Sequence, residues 1–123
     1  MIIGAQLFSV RNFAKNLDDF SETLKKVADI GYKYVQISGG CCQDAHWLKK
    51  ELDQNGLKGV ITHMPPQRLQ EDLLNVIEDN TVLECDNIGL GCYRFDESKE
   101  DESFDNFFKV YPPIAKALCD YGT

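Results

Sequence analysis

Short runs of apolar, often β-branched residues alternate along this chain with stretches whose apolar positions recur every three or four residues. The first pattern suits strands and the second suits amphipathic helices, so their order predicts a parallel sheet with crossover helices. The first run extends from Ile2 to Val10, and a helical stripe of Leu17, Phe20, Leu24, Val27 and Ala28 follows. Asn16 stands where a side chain can cap that helix, and Gly31 where a left-handed residue would stop it. Tyr34 to Ile37 is the second run, and Ala45, Leu48 and Leu52 form a stripe closed by Gly56. Val60 to Thr62 is the third run, followed by one helix carrying Leu69, Leu73, Val76, Ile77 and Leu83. Ile88 to Leu90 is the fourth. The last helical segment holds Phe104, Phe107, Phe108, Ile114, Ala117 and Leu118, with Pro112-Pro113 expected to bend or restart it. The spacing therefore predicts strands over about residues 2–8, 33–38, 58–62 and 87–91. They should lie in sequential order and be joined by right-handed crossovers.

Gly31-Tyr-Lys-Tyr-Val and Gly56-Leu-Lys-Gly-Val share one form, a helix stop, a short turn and the entry to a strand. Their separation matches one βα unit, a block too small to stand alone. Tyr121-Gly122 repeats the stop, and the sequence ends where a fifth strand would begin. The expectation is one α/β domain over 1–123, about four parallel βα units, forming the amino-terminal half of a TIM barrel. An open flavodoxin-like sheet is the fold alternative, but nothing resembles its phosphate-binding glycine loop or an acidic receiver pocket. Gly39-Gly40 reads as a turn rather than an anion site.

Alternation within the strands separates their faces. Ile3, Ala5 and Leu7 form a helix-facing set in the first, opposite Gly4, Gln6 and Phe8. In the second, Val35 and Ile37 oppose Gln36 and Ser38. Strands buried on both sides normally read as unbroken Val, Ile and Leu. The two glutamines thus indicate either a polar lumen near a ligand or amides satisfied by backbone and water.

The net charge of −7 sets 13 basic residues among 20 acidic ones, which argues against a nucleic-acid surface. The acidic stretch from Asp96 to Asp105 reads as a solvated loop. No apolar run approaches the roughly 18 residues of a membrane span, and no secretory leader is visible at the start. Five cysteines, an odd count, suit a reducing cytoplasm better than a disulfide framework. Cys41-Cys42 with Asp44 and His46 lacks the spacing and the second pair of a structural zinc site. Cys92 reads as a small packing residue and His46 as a surface residue.

Gly4-Ala-Gln-Leu-Phe-Ser-Val-Arg11 and Gly31-Tyr-Lys-Tyr-Val-Gln-Ile-Ser38 resemble the opening of sugar phosphate isomerase/epimerase proteins of the xylose-isomerase-like barrel superfamily. Gly56-Leu-Lys-Gly-Val-Ile-Thr-His63 and Cys85-Asp-Asn-Ile-Gly-Leu-Gly91 extend the resemblance across the chain. It implies an eight-stranded barrel that binds one divalent metal (Mn, Mg, Co or Zn) and moves a proton between adjacent sugar carbons. The metal ligands would come mainly from strands five to eight. The chain by itself is then expected to hold no metal and to be inactive, and whether it counts as an enzyme stays open. The resemblance also implies that Gln6, Phe8 and Arg11 line a sugar or sugar phosphate pocket from strand one, and Gln36 from strand two. Gln36 stands where the family often has Glu, which favours substrate contact over acid/base work. His63, at the end of strand three, has three readings: a structural residue bonded to backbone near Pro65-Pro66, a substrate contact, or a metal ligand. Abasic-site nucleases of the superfamily need a second histidine after strand four. Here that stretch reads Gly91-Cys92-Tyr93, which with the acidic charge argues against a nuclease. A non-catalytic binding domain and a dimer of half barrels are the other readings. Four strands would leave two edges open, so self-association through them is expected.

Overall fold

The computed structural model describes residues 3–41 and 44–122. Ile2 of the first expected strand and Cys42 of the cysteine pair lie outside the described residues. Among the described residues four strands form the sheet: β1 (Gly4–Gln6), β2 (Tyr34–Ile37), β3 (Lys58–Met64) and β4 (Ile88–Leu90). Their order is β1-β2-β3-β4 and every neighbouring pair is parallel, as the alternating pattern predicts. The helices are α1 (Leu17–Ile30), α2 (Ala45–Gln54), α3 (Pro66–Glu71), α4 (Leu73–Val82) and α5 (Glu100–Asp120).

The punctuation residues behave as their chemistry requires. The Asn16 side chain accepts from the Asp19 N–H at 2.8 Å, and Gly31 ends α1 at φ 113°. Gly56 after α2 and Gly122 after α5 also take positive φ, at 63° and 87°. Such angles carry a steric penalty for residues with a Cβ.

Three boundaries differ from the sequence expectation. β1 ends at Gln6 rather than near residue 8, because the chain turns into a 3₁₀ helix over Leu7–Phe13. Leu7, Val10 and Ala14 recur at helical spacing and pack into the core there, which outweighs the β-branched character of the run. The third helix is broken at Asp72 into α3 and α4, where Asp72 adopts φ −139° and accepts from Asn75 at 2.5 Å. α5 runs unbroken through Pro112 and Pro113. The prolines remove the N–H partners of the Phe108 and Lys109 carbonyls. Both residues are exposed, so water can take the place of those donors.

Two apolar clusters hold the layers together. Phe20, Leu24 and Val27 of α1 meet Val35 of β2, and Leu48 and Leu52 of α2, in the larger one. The smaller sets Met64 of β3, Leu69 of α3 and Val76 of α4 against Tyr111 of α5. Between β3 and α4 one buried polar pair replaces apolar contact. The Thr62 hydroxyl donates to Asn80 Oδ1 at 2.8 Å, and Asn80 Nδ2 donates to the Val76 carbonyl at 2.8 Å.

Candidate functional site

Register decides which side chains meet on the sheet face turned away from the helices. Gln6 pairs with Gln36 across β1 and β2, so the two amides share that face. On β3 simple alternation would fail. Lys58 pairs with Tyr34 and so lies on the Gln36 face, which would send His63, five residues on, to the helix side. The pairing instead slips between Val35 and Gln36, from Val35↔Gly59 to Gln36↔Ile61, leaving Val60 as an extra residue. This β-bulge returns Ile61 and His63 to the Gln36 face. The Val60 carbonyl is satisfied by the Asn87 side-chain amide at 3.0 Å.

The bulge brings Gln36 and His63 together. Gln36 Nε2 lies 3.0 Å from Nδ1 and 2.7 Å from Nε2 of the imidazole. An atom that close to both nitrogens cannot sit in the ring plane without overlapping the carbon between them. The amide therefore lies over the ring. Of the three readings of His63, the structural one called for a backbone partner near Pro65-Pro66; the partner found is the Gln36 side chain. On the other flank Gly89 of β4 pairs with His63. A Cβ at Gly89 would stand 2.9 Å from His63 Cδ2, so the absent side chain is what admits the ring.

Phe8 and Arg11 are placed differently from the expectation. Both belong to the 3₁₀ helix beyond β1 rather than to the strand, and both are exposed. The Arg11 guanidinium sits 4.2 Å from the Phe8 ring centroid and donates to the Phe8 carbonyl at 2.8 Å. The pair forms a rim beyond the carboxyl end of β1. The rim packs on the turn after β2. A Cβ at Gly39 would fall 2.7 Å from Phe8 Cδ2, and one at Gly40 2.5 Å from the Phe20 ring. Close approach to these two rings explains the glycine pair, in keeping with its reading as a turn.

Beside His63, at the carboxyl ends of β2 and β3, lies a cavity of about 190 Å³. Phe20, Leu48 and Leu83 form its apolar floor, and Ser38, Arg68 and Asp79 supply its polar wall. Arg68 is held by Asp79 at 2.9 Å and by Asp72 at 3.4 Å. The Ser38 hydroxyl is buried without a hydrogen-bond partner. A buried hydroxyl left unpaired costs about 1–3 kcal/mol, so a ligand or water reaching it would be favoured. The chemistry of Ser38 was not apparent from sequence, although its place on the polar side of β2 was. Asn80 offered a clearer signal, an amide on the otherwise apolar stripe of Val76 and Ile77. Nothing in the sequence links Arg68 to Asp79.

Among the described residues no group of three or more His, Cys, Asp or Glu side chains converges as metal ligands would. The row of Gln6, Gln36 and His63 offers two neutral amides and an imidazole but no carboxylate, a donor set that does not fit a hard divalent cation. Cys85 is buried in the larger cluster, and burial pushes its thiol pKa up. Cys41, Cys92 and Cys119 are exposed, so Cys92 is not the packing residue expected. His46 is exposed, as its position beside Trp47 suggested.

No protein-family model matches the sequence, and no curated protein matches it. In structure the chain is similar to the crystal structure of an AP endonuclease, family 2, from Brucella melitensis, with a TM-score of 0.65 and 19% sequence identity. The likeness covers 99% of this chain and 53% of that one, so the chain spans about half the length of the protein it matches. None of the helices among the described residues is long and apolar enough to cross a membrane. At this identity the likeness is one of fold alone, and the fold is about four parallel βα units, part of a TIM barrel.

Proposed function

We propose that residues 1–123 supply the sugar-binding half of a metal-dependent sugar or sugar phosphate isomerase or epimerase, and that this half alone binds without turnover. The observation that carries this is the row of Gln6, Gln36 and His63 across three adjacent strands, on the face away from the helices. A sugar offers hydroxyls that both donate and accept. Amides and an imidazole can answer in both senses. Acid/base groups and a metal are needed to move a proton between carbons. This row provides no carboxylate for either task, so the reaction would depend on residues outside this chain.

The Brucella melitensis protein of similar fold is an AP endonuclease, which makes nuclease activity the second reading. The net charge of −7 and the lone histidine of the row disfavour it. One experiment separates the readings. Ketoses and their phosphates are titrated into the ¹⁵N-labelled chain, and turnover is assayed with Mn²⁺, Mg²⁺ or Co²⁺ present. The expected result is a saturable shift of the Gln36 and His63 side-chain resonances with no product. His63→Ala and Gln36→Ala should each weaken binding about 10-fold, the worth of one hydrogen bond. Isomerisation by the chain alone, or cleavage of abasic DNA, would overturn the proposal. So would titration that leaves the His63 resonances unmoved for every sugar.

A further inference from the structure

The cavity at the carboxyl ends of β2 and β3 has no part in the sugar reading, yet it is built as a site. β2 and β3 are the inner strands, each paired on both sides, and the cavity walls come from α1, α2, α3 and α4. Its shape is therefore set without the open sides of β1 and β4. The exposed lining residues Gly39, Gly40 and Pro65 mark its mouth.

The lining is held in place by partners of its own, so the space is not slack packing. The Phe20 ring packs on Gly40 and on the Trp47 ring, whose centroid is 5.9 Å away. Thr62 is tied to Asn80, and Arg68 to Asp79 and Asp72. Moving any of these into the space would break a contact described above. Protein interiors leave few voids larger than a water molecule, and this one measures about 190 Å³. An apolar cavity of about 150 Å³ can hold benzene, so a molecule of about seven non-hydrogen atoms fits here.

The chemistry of the lining is divided. Phe20, Leu48 and Leu83 are buried and present only carbon to the floor. Water there would lack the roughly two to four polar partners that hold a buried water. On the wall, the Ser38 hydroxyl finds no partner among the described residues, although it can both donate and accept. The wall carries no surplus positive charge: Arg68 is matched by Asp79 and Asp72, and Asp44 also borders the space. A phosphate or carboxylate would meet more negative charge than positive and be repelled.

We propose that this cavity binds a small neutral molecule with a compact apolar body and one hydroxyl, the chemistry of a phenol. The body lies on Phe20, Leu48 and Leu83, and the hydroxyl bonds to Ser38. His63 borders the same space, so the occupant adjoins the row without using its amides. The inference rests on the cavity alone and does not need the row to hold a sugar.

Phenol, benzene and benzoate are titrated into the chain carrying ¹³C-methyl-labelled leucine. Phenol should shift the Leu48 and Leu83 methyl resonances saturably. Benzene should do so about 10-fold more weakly, as expected for one lost hydrogen bond. Benzoate, which adds a negative charge to the ring, should bind at least about 10-fold more weakly than phenol. Ser38→Ala removes a single oxygen and keeps the packing, and it should bring phenol down to the affinity of benzene. Phenol that leaves both leucines unmoved would overturn the proposal, as would benzoate that binds as well as phenol. So would a Ser38→Ala variant in which phenol keeps its advantage over benzene. Sugar binding is read at Gln36 and His63 and phenol binding at the leucines, so either reading can fail while the other stands.

Discussion

The units around β1 and β2 and the unit around β4 are built from the same pattern but are filled to different degrees. Among the described residues, twelve buried ones, from Leu7 to Cys85, make the cluster under the first two strands, whereas four make the cluster under the last: Met64, Leu69, Val76 and Tyr111. α2 has a helix on each side, while α5 has one side bare. An aromatic set of Tyr93, Phe95, Phe104, Phe107 and Tyr111 partly fills the gap, with ring centroids 4.6–5.7 Å apart for the closest pairs. Much of that set remains in water, so its rings contribute less than their size would allow. The difference teaches that a βα unit is stabilised by its neighbours more than by its own stripe.

The sharpest way to break this comparison is to delete a ring from each region. Phe20→Ala should cost about 3–5 kcal/mol in urea unfolding, as for a fully buried phenylalanine. Phe107→Ala, half-buried on α5, should cost about half as much. Equal losses would show that the two regions are equally packed. The next effect is smaller and lies where the regions join. Asn80→Ala strands the buried Thr62 hydroxyl and should cost about 1–3 kcal/mol. Thr62→Val combined with Asn80→Leu should recover part of that loss, and a double-mutant cycle would measure how much.

Gly89→Ala should be milder, about 1 kcal/mol, because one methyl must displace the His63 ring. Its signature would be a change in the His63 ring resonances while the Phe20 region stays unmoved. The smallest expected effect concerns pH. Burial raises the Cys85 pKa in the folded chain, so the folded state favours the protonated thiol. Its contribution is full below the ordinary thiol pKa of about 8.5 and is lost as pH rises through the higher native value. Cys85→Ala should flatten that alkaline decline. In neutral buffer a thiol reagent should label Cys92 and Cys119 quickly and Cys85 only on unfolding.

Strand order, parallel pairing and helix caps were readable because each has a local cause in residue type or period. The early end of β1 was hidden because Leu7, Val10 and Ala14 satisfy helical spacing inside a run that also reads as strand. The break at Asp72 was hidden by an apolar stripe that continues across it. Gln36 and His63 were both visible as candidates, but their contact depends on the bulge at Val60. A bulge adds one residue with no mark in composition, so alternation counted from Lys58 turns His63 the wrong way. Phe8 was counted within β1 by extending the strand two residues too far; it and Arg11 lie in the 3₁₀ helix that follows.

The bulge also fixes how β3 can change length. Val60 is a spare residue: removing its codon would straighten the strand and leave Ile61 and His63 on the face they now occupy. Adding a codon between Leu57 and His63 has no such outlet, because the strand already carries its surplus, and the imidazole would swing toward Asn80 and the helices. Descendants of this sequence can therefore shorten β3 by one position and keep the site, whereas lengthening it by one dismantles the site while the sheet itself survives.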